Sequence, residues 1–196
     1  MTTESIADVE SQKLFEVESK FRVLDTVTIM TRLSELGASR QHHETHLDEY
    51  FAHPVRDFKQ TDEAFRIRSL NGRHMLTYKG TKSGTTAKMR REIELPFAEE
   101  VEIADIRELL GKLSFCSVAV VEKTRQSFRI PRPAWKVTAA LDEVKGLGTF
   151  LELEIVCAQA NIENAEKELA EIAELLELSE PIRSSYLGLI LGQSES

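Results

Sequence analysis

A chain of 196 residues, 41% hydrophobic and 30% charged, has the make-up of a globular protein with enough apolar material for one substantial core. No apolar run approaches the roughly 20 residues of a membrane-spanning helix, and the polar start "MTTESIADVESQK" lacks the features of a secretory signal or a transit peptide, so a cytoplasmic protein with no membrane partner is expected. The net charge of −8 argues against a nucleic-acid partner, which would require a basic surface, and the isolated Cys116 and Cys157 are read as buried, reduced thiols rather than a disulfide framework or zinc cluster.

Residues 1–12 are expected to be a flexible segment at the front of a single domain spanning 1–196. The stretch "LFEVESK" then opens a strand over 13–22. With side chains alternating across a strand, Phe15, Val17 and Phe21 share one face, and Glu16, Glu18 and Lys20 share the other. "DTVTIMTRLSELG" predicts a short helix from Asp25, its N-cap, to Gly37, its stop, with an apolar stripe of Val27, Ile29, Met30, Leu33 and Leu36. Further strands are predicted over 41–51, 63–70, 73–80, 86–95, 116–130, 134–141 and 149–157. "NGR" at 71–73, "GTKSG" at 80–84 and "GLG" at 146–148 serve as turns. Two more helices are predicted: one over about 99–113 with Val101, Ile103, Ile106, Leu109, Leu110 and Leu113 as its apolar set, and one over 161–178 that buries Ile162, Ala165, Leu169, Ile172 and Leu176. Hairpin-length connections imply antiparallel pairing, and hence an α+β protein dominated by its sheet.

Charge at a spacing of two recurs on strand after strand: Arg66 and Arg68, Lys79, the run Lys88, Arg90, Glu92 and Glu94, Lys123 and Arg125, then Glu152 and Glu154. For one strand this is the expected solvent face. Taken together, the positions are mostly ionised and some strands carry a single sign, while three amphipathic helices require an apolar sheet face to cover. A closed or nearly closed eight-stranded antiparallel barrel, apolar beneath flanking helices and charged within its lumen, satisfies both demands. Such a lumen must hold water, counter-charges and a polyanion. Arg and Lys suit phosphate oxygens, and paired Glu suit Mg²⁺ or Mn²⁺, so the pattern points to a polyphosphate with its metal.

"EVESK" resembles the ExExK signature of the CYTH superfamily, the triphosphate tunnel metalloenzymes. "HLDEYFAHPVRDFKQTDEAFRIR", "LTYKGTKSG", the R-x-E-x-E of Arg90 to Glu94, "KTR", "LDEVKGLGTFLELE" and "SSYLGLI" resemble the family's successive blocks, in order, over about residues 14–190. The wording of several blocks is most similar to the class IV adenylyl cyclase branch. The resemblance implies an eight-stranded tunnel in which Glu16, Glu18, Glu152 and Glu154, joined by Asp142, hold Mg²⁺ or Mn²⁺. It implies that Lys20, Arg66, Arg68, Lys79, Arg90, Lys123 and Arg125 grip the triphosphate, with Glu16, Glu18 and Lys20 central to catalysis. Glu92 and Glu94 would bind metal or orient the basic residues, and Tyr50 would pack at the tunnel mouth.

The activity implied is conversion of ATP to cyclic AMP and pyrophosphate. The alternatives are hydrolysis of inorganic or organic triphosphate and a noncatalytic polyphosphate- or nucleotide-binding module. The partner is accordingly a nucleoside triphosphate or inorganic triphosphate, and the protein a monomer or homodimer. His42, His43, His46 and His53 cluster, but His42, His43 and His46 lack a convincing fourth ligand for zinc, so the histidines are read as exposed strand-edge residues.

Overall fold

The computed structural model describes residues 14–81 and 92–194. The expected flexible segment over 1–12, Arg90 and the first part of the strand predicted at 86–95 lie outside the described residues.

Eight strands form one antiparallel sheet: β1 (Leu14–Val23), β2 (Ser39–Ala52), β3 (Ala64–Leu70), β4 (Arg73–Lys79), β5 (Glu92–Pro96), β6 (Cys116–Pro131), β7 (Lys136–Val144) and β8 (Gly148–Ala158). Five helices accompany them: α1 (Thr26–Glu35), α2 (Phe58–Thr61), α3 (Ile103–Lys112), α4 (Ile162–Leu175) and α5 (Tyr186–Ser194). Each of the eight predicted strands has its counterpart. Two of the turn signals act as expected: Asn71 and Gly72, at φ 48° and 82°, make the β3–β4 hairpin, and Gly146 and Gly148, at φ 78° and 99°, turn β7 into β8, while most of the signal at 80–84 lies outside the described residues. Asp25 caps α1 by accepting from the N–H groups of Val27 at 3.0 Å and Thr28 at 3.2 Å.

The main core lies between the outer sheet face and helices α1 and α4. Val17, Phe21 and Val23 of β1 meet Ile29 and Leu33 of α1 and Ile162, Ala165, Leu169 and Ile172 of α4, with Leu176 just beyond its end. A second apolar cluster joins Tyr50, Val121, Val144, Leu147 and Phe150 to Tyr186 of α5, and a third joins Phe51 and Ile67 to Leu110 of α3. Among the described residues no helix is long and apolar enough to cross a membrane.

Several expectations are corrected here. Val27 is 76% exposed, because it lies two positions before the inward Ile29, about 200° around the helix. Leu109 and Leu113 also face outward, leaving Leu110 as the buried anchor of α3. Cys116 is exposed rather than buried: β6 pairs with β7 only from Lys123 onward, so its first residues project beyond that neighbour.

The larger correction concerns closure. In the ladder order β1-β8-β7-β6-β2-β3-β4-β5, strands β1 and β5 stand at the two edges, and among the described residues no backbone ladder joins them. The sheet is a curled half-barrel. β5 has five described residues and ends on Pro96, which has no N–H to donate. Side chains bring the edges together instead: Lys79 Nζ of β4 lies 4.0 Å from Glu16 of β1, and Glu16 hydrogen-bonds Glu92 of β5.

Candidate functional site

The inner face of the curled sheet borders a cavity of about 310 Å³ lined by Glu16, Glu18, Lys20, Arg66, Arg68, Lys79, Glu92, Glu94, Lys123, Arg125, Glu152 and Glu154, together with Asp48, Tyr50, Asp62, Glu63, Ala64, Ser185, Tyr186 and Leu187. Period-two spacing on antiparallel strands brings these residues together. In the β1–β8 register Glu18 stands opposite Glu154 and Lys20 opposite Glu152, and the alternate positions Val17, Phe21, Leu151, Leu153 and Ile155 are buried in the core. Of the sequence-predicted site residues, all that are described line this cavity except Asp142, which is fully buried behind it.

The cations are organised around two buried carboxylates. Asp48 of β2 receives both arms of Arg68, Nε at 2.7 Å and Nη2 at 2.8 Å, and Arg66 Nη1 at 3.1 Å. Burial would raise the Asp48 carboxyl, but the Arg68 bonds and the charge of Arg66 hold it well below the usual carboxylate range. Asp142 of β7 receives Arg125 Nε and Nη2, each at 2.6 Å, Lys123 Nζ at 2.7 Å and the Tyr186 hydroxyl at 2.9 Å. Asp142, grouped with the metal ligands by the resemblance, is placed here as the counter-ion of the β6 cations. With four donors on its two oxygens, little capacity remains for an ion.

Glu152 lies on the same side of the division. It pairs with Lys20 at 3.2 Å and with Arg125, and although burial opposes ionisation, Lys123, Arg125 and Lys20 hold it well below its ordinary value. Glu16 and Glu154 differ. Burial pushes Glu16 up to about 8, against the pull of Lys79 and with added repulsion from Glu154, Glu18 and Glu92. Burial also raises Glu154, to which Glu18 and Glu152 add repulsion. Glu92 is drawn down: burial opposes this, but Lys79 at 2.9 Å and Arg66 outweigh it. Glu92 therefore orients Lys79, while the exposed Glu94 lines the cavity from the edge strand.

Half-buried carboxylates gathered on two paired strands, with Glu18 directly opposite Glu154 and Glu16 two positions before Glu18 on the same face, are a donor set suited to a hard divalent cation. Glu16, Glu18 and Glu154 fit that chemistry. Among the described residues no three His, Cys, Asp or Glu side chains already stand in ligating geometry.

Asp48 and Tyr186 escaped the sequence reading, and His46 was misplaced by it. Asp48 and His46 sit on β2 in phase with Tyr50, and this shared phase was the available signal. His46 is 4% exposed, contrary to the expectation of a strand-edge residue; burial and then the charges of Arg68, Lys123 and Arg125 push it down to about 4. His42 and His43 are exposed as expected, and His53 is half-buried against Phe58 and Phe115. Tyr186, within the "SSYLGLI" block, reaches Asp142 from a helix that the periodicity did not mark. Tyr50 packs as expected and also accepts a hydrogen bond from Arg66 at 3.0 Å.

A curled antiparallel sheet that gathers carboxylates and cations on its inner face, with helices on the outer one, defines a class of α+β proteins built around a charged cavity. Within that class the chain belongs to the CYTH domain family, whose pattern matches residues 14–186. It is 35% identical over 179 residues, covering 90% of its length and 98% of the relative's, to a Methanocaldococcus jannaschii protein provisionally named an adenylate cyclase. An inorganic triphosphatase of Acetivibrio thermocellus is 32% identical over 98 residues, half of this chain and 56% of that one. A solved Pyrococcus horikoshii protein superposes with a TM-score of 0.80 at 38% identity, covering 91% of this chain and 99% of that structure.

Proposed function

We propose that the cavity is a triphosphate tunnel and that the protein is a divalent-metal-dependent enzyme acting on ATP, releasing pyrophosphate as cyclic AMP forms. The observation that carries the triphosphate reading is the division of the cavity lining into a carboxylate side, Glu16, Glu18 and Glu154, and a cationic side held by Asp48 and Asp142. The cyclase assignment draws on the near-full-length relative named for that activity.

Mg²⁺ or Mn²⁺, held by Glu16, Glu18 and Glu154, would supply charge neutralisation and lower the pKa of the attacking hydroxyl. Arg66, Arg68, Lys79, Lys123 and Arg125 bind the phosphate chain, with Lys20 beside the metal ligands on β1; Arg90 belongs to the same set by motif. Asp48 and Asp142 fix the guanidinium planes of Arg68 and Arg125, so the remaining N–H donors keep their direction without reorganisation as charge develops on the leaving pyrophosphate. Arg66 Nε, buried and without a hydrogen-bond partner among the described residues, is a donor that a phosphate oxygen would satisfy. Lys123 is pushed down to about 8, first by burial and then by Arg125, and a bound phosphate would restore its full charge.

The second reading is hydrolysis of inorganic triphosphate. It is favoured by the partial similarity to an inorganic triphosphatase and by a lining with few apolar side chains to seat a base. The whole chain 1–196 is taken as one functional domain in the cytoplasm, a monomer or a homodimer. Product analysis with ATP and with tripolyphosphate, each with Mg²⁺ or Mn²⁺, tests the proposal. Cyclic AMP with pyrophosphate supports the cyclase, orthophosphate from tripolyphosphate supports the hydrolase, and inertness to both would leave only a binding module.

A further inference from the structure

Lysine is a compact charge on a flexible stem, and ordering it costs rotamer entropy. A carboxylate can hold such a group, but it also neutralises it and repels an incoming phosphate. An aromatic face attracts an ammonium through its quadrupole and adds no formal negative charge. Resting on the triphosphate reading above, we propose that Tyr186 is the positioning residue for the phosphate-binding lysines: Lys20 and Lys123 are each paired with one carboxylate, Glu152 at 3.2 Å and Asp142 at 2.7 Å, and the Tyr186 ring braces both toward the cavity without adding a further negative charge to repel the triphosphate.

The geometry is specific. Lys20 Nζ lies 4.0 Å and Lys123 Nζ 5.0 Å from the Tyr186 ring centroid. The ring is locked at its other end, where the hydroxyl donates to Asp142 Oδ2 at 2.9 Å, the oxygen that also accepts Lys123 Nζ at 2.7 Å and Arg125 Nη2 at 2.6 Å. Burial, then Glu152 and Asp142, raise the phenol, so the hydroxyl stays a donor. Phe150 buttresses the ring edge to face, with centroids 5.2 Å apart. The segment carrying Tyr186 is itself pinned to β1 at the residue it positions: Ile182 N–H donates to the Lys20 carbonyl at 2.7 Å, and Lys20 Nζ donates to the Ser184 carbonyl at 3.3 Å. One aromatic side chain from α5 thus couples a lysine of β1 to a lysine of β6, strands that β8 and β7 separate in the sheet.

The test varies the ring's electrostatics at constant shape. Residue 186 is replaced by phenylalanine, 3,5-difluorophenylalanine and pentafluorophenylalanine, and binding of inorganic tripolyphosphate to the metal-free protein is measured by calorimetry. Tyr186→Phe keeps the aromatic face and should stay within about threefold of wild type, whereas affinity should fall stepwise with fluorination by about tenfold or more in total, the loss of two cation–π contacts. In turnover the same series should raise KM more than it lowers kcat. A flat series with unchanged melting temperatures overturns the role of Tyr186 and leaves the triphosphate reading standing. A wild-type protein that does not bind tripolyphosphate overturns both.

Discussion

Replacing Glu16 with Gln should make the metal-free protein more stable at alkaline pH, with little change at pH 5. The Glu16 carboxyl is pushed up to about 8 from an ordinary 4.5 by burial, against the pull of Lys79 and with added repulsion from Glu154, Glu18 and Glu92. Its folded-state pKa exceeds the unfolded one, so the folded protein favours the protonated form. Stability is fully present below pH 4.5 and is lost as pH rises through 8. At about 1.4 kcal/mol per pH unit, the displacement sets a ceiling of about 5 kcal/mol. The Glu16 side chain retains 24% exposure and its proton is shared with Glu92, so about half of that, roughly 2–3 kcal/mol, is the working figure. For a chain of this size that amounts to about 5–10 °C in Tm. Gln preserves the shape and the hydrogen bond to Glu92 but cannot ionise. Thermal melts in chelator from pH 5 to pH 9 should therefore show the two proteins together at the acid end and the wild type falling below the variant at the alkaline end. Mg²⁺ at pH 9 should recover the wild type more than the variant. Parallel curves across the range would refute the reasoning, since they would mean that Glu16 ionises freely in the folded state.

Asp48→Asn should destabilise the protein by about 3–5 kcal/mol in urea denaturation, because it leaves the buried Arg66 and Arg68 without their shared counter-ion; a loss under 1 kcal/mol would show that the pair reorganises into water. Arg66→Ala should weaken tripolyphosphate binding by about tenfold or more, and orthophosphate binding much less, in calorimetric titrations; equal losses would remove Arg66 from the phosphate chain. His46, pushed down to about 4 by burial and then by Arg68, Lys123 and Arg125, should remain neutral at pH 5.5 in an NMR titration. Its folded-state pKa lies below the unfolded one, so His46→Gln should reduce the loss of stability as pH falls from 6.5 toward 4.

The strands were legible because one physical rule governs them: a sheet buried under helices on one face and charged on the other writes period two into β1, β3, β6 and β8. The α4 helix was equally legible, since its five predicted core positions all turn inward. Closure was not. Alternation states which face a side chain takes but not whether two edge strands come within hydrogen-bonding reach, and β1 and β5 meet through Lys79, Glu16 and Glu92 instead of a ladder. The same limit explains Asp142 and Asp48. A carboxylate on an inner face reads alike whether it serves a metal or an arginine, and only the three-dimensional setting separates the counter-ions Asp48, Asp142 and Glu152 from Glu16 and Glu154. Tyr186 was hidden for a different reason, since its partner Lys20 is 166 positions away and a single tyrosine leaves no periodic trace.

The open seam has a consequence for solubility. Among the described residues the half-barrel keeps two strand edges without a ladder partner, and such an edge is able to recruit a strand from another molecule. Inward-pointing charge and proline on edge strands discourage such recruitment, and here β1 carries Glu16, Glu18 and Lys20 while β5 carries Glu92, Glu94 and Pro96. The side chains assigned to metal and phosphate thus also guard against aggregation. Charge at these positions serves the strand edges whatever the cavity binds, so its presence in a relative is weaker evidence of activity than intact Asp48 and Asp142 counter-ion clusters behind it.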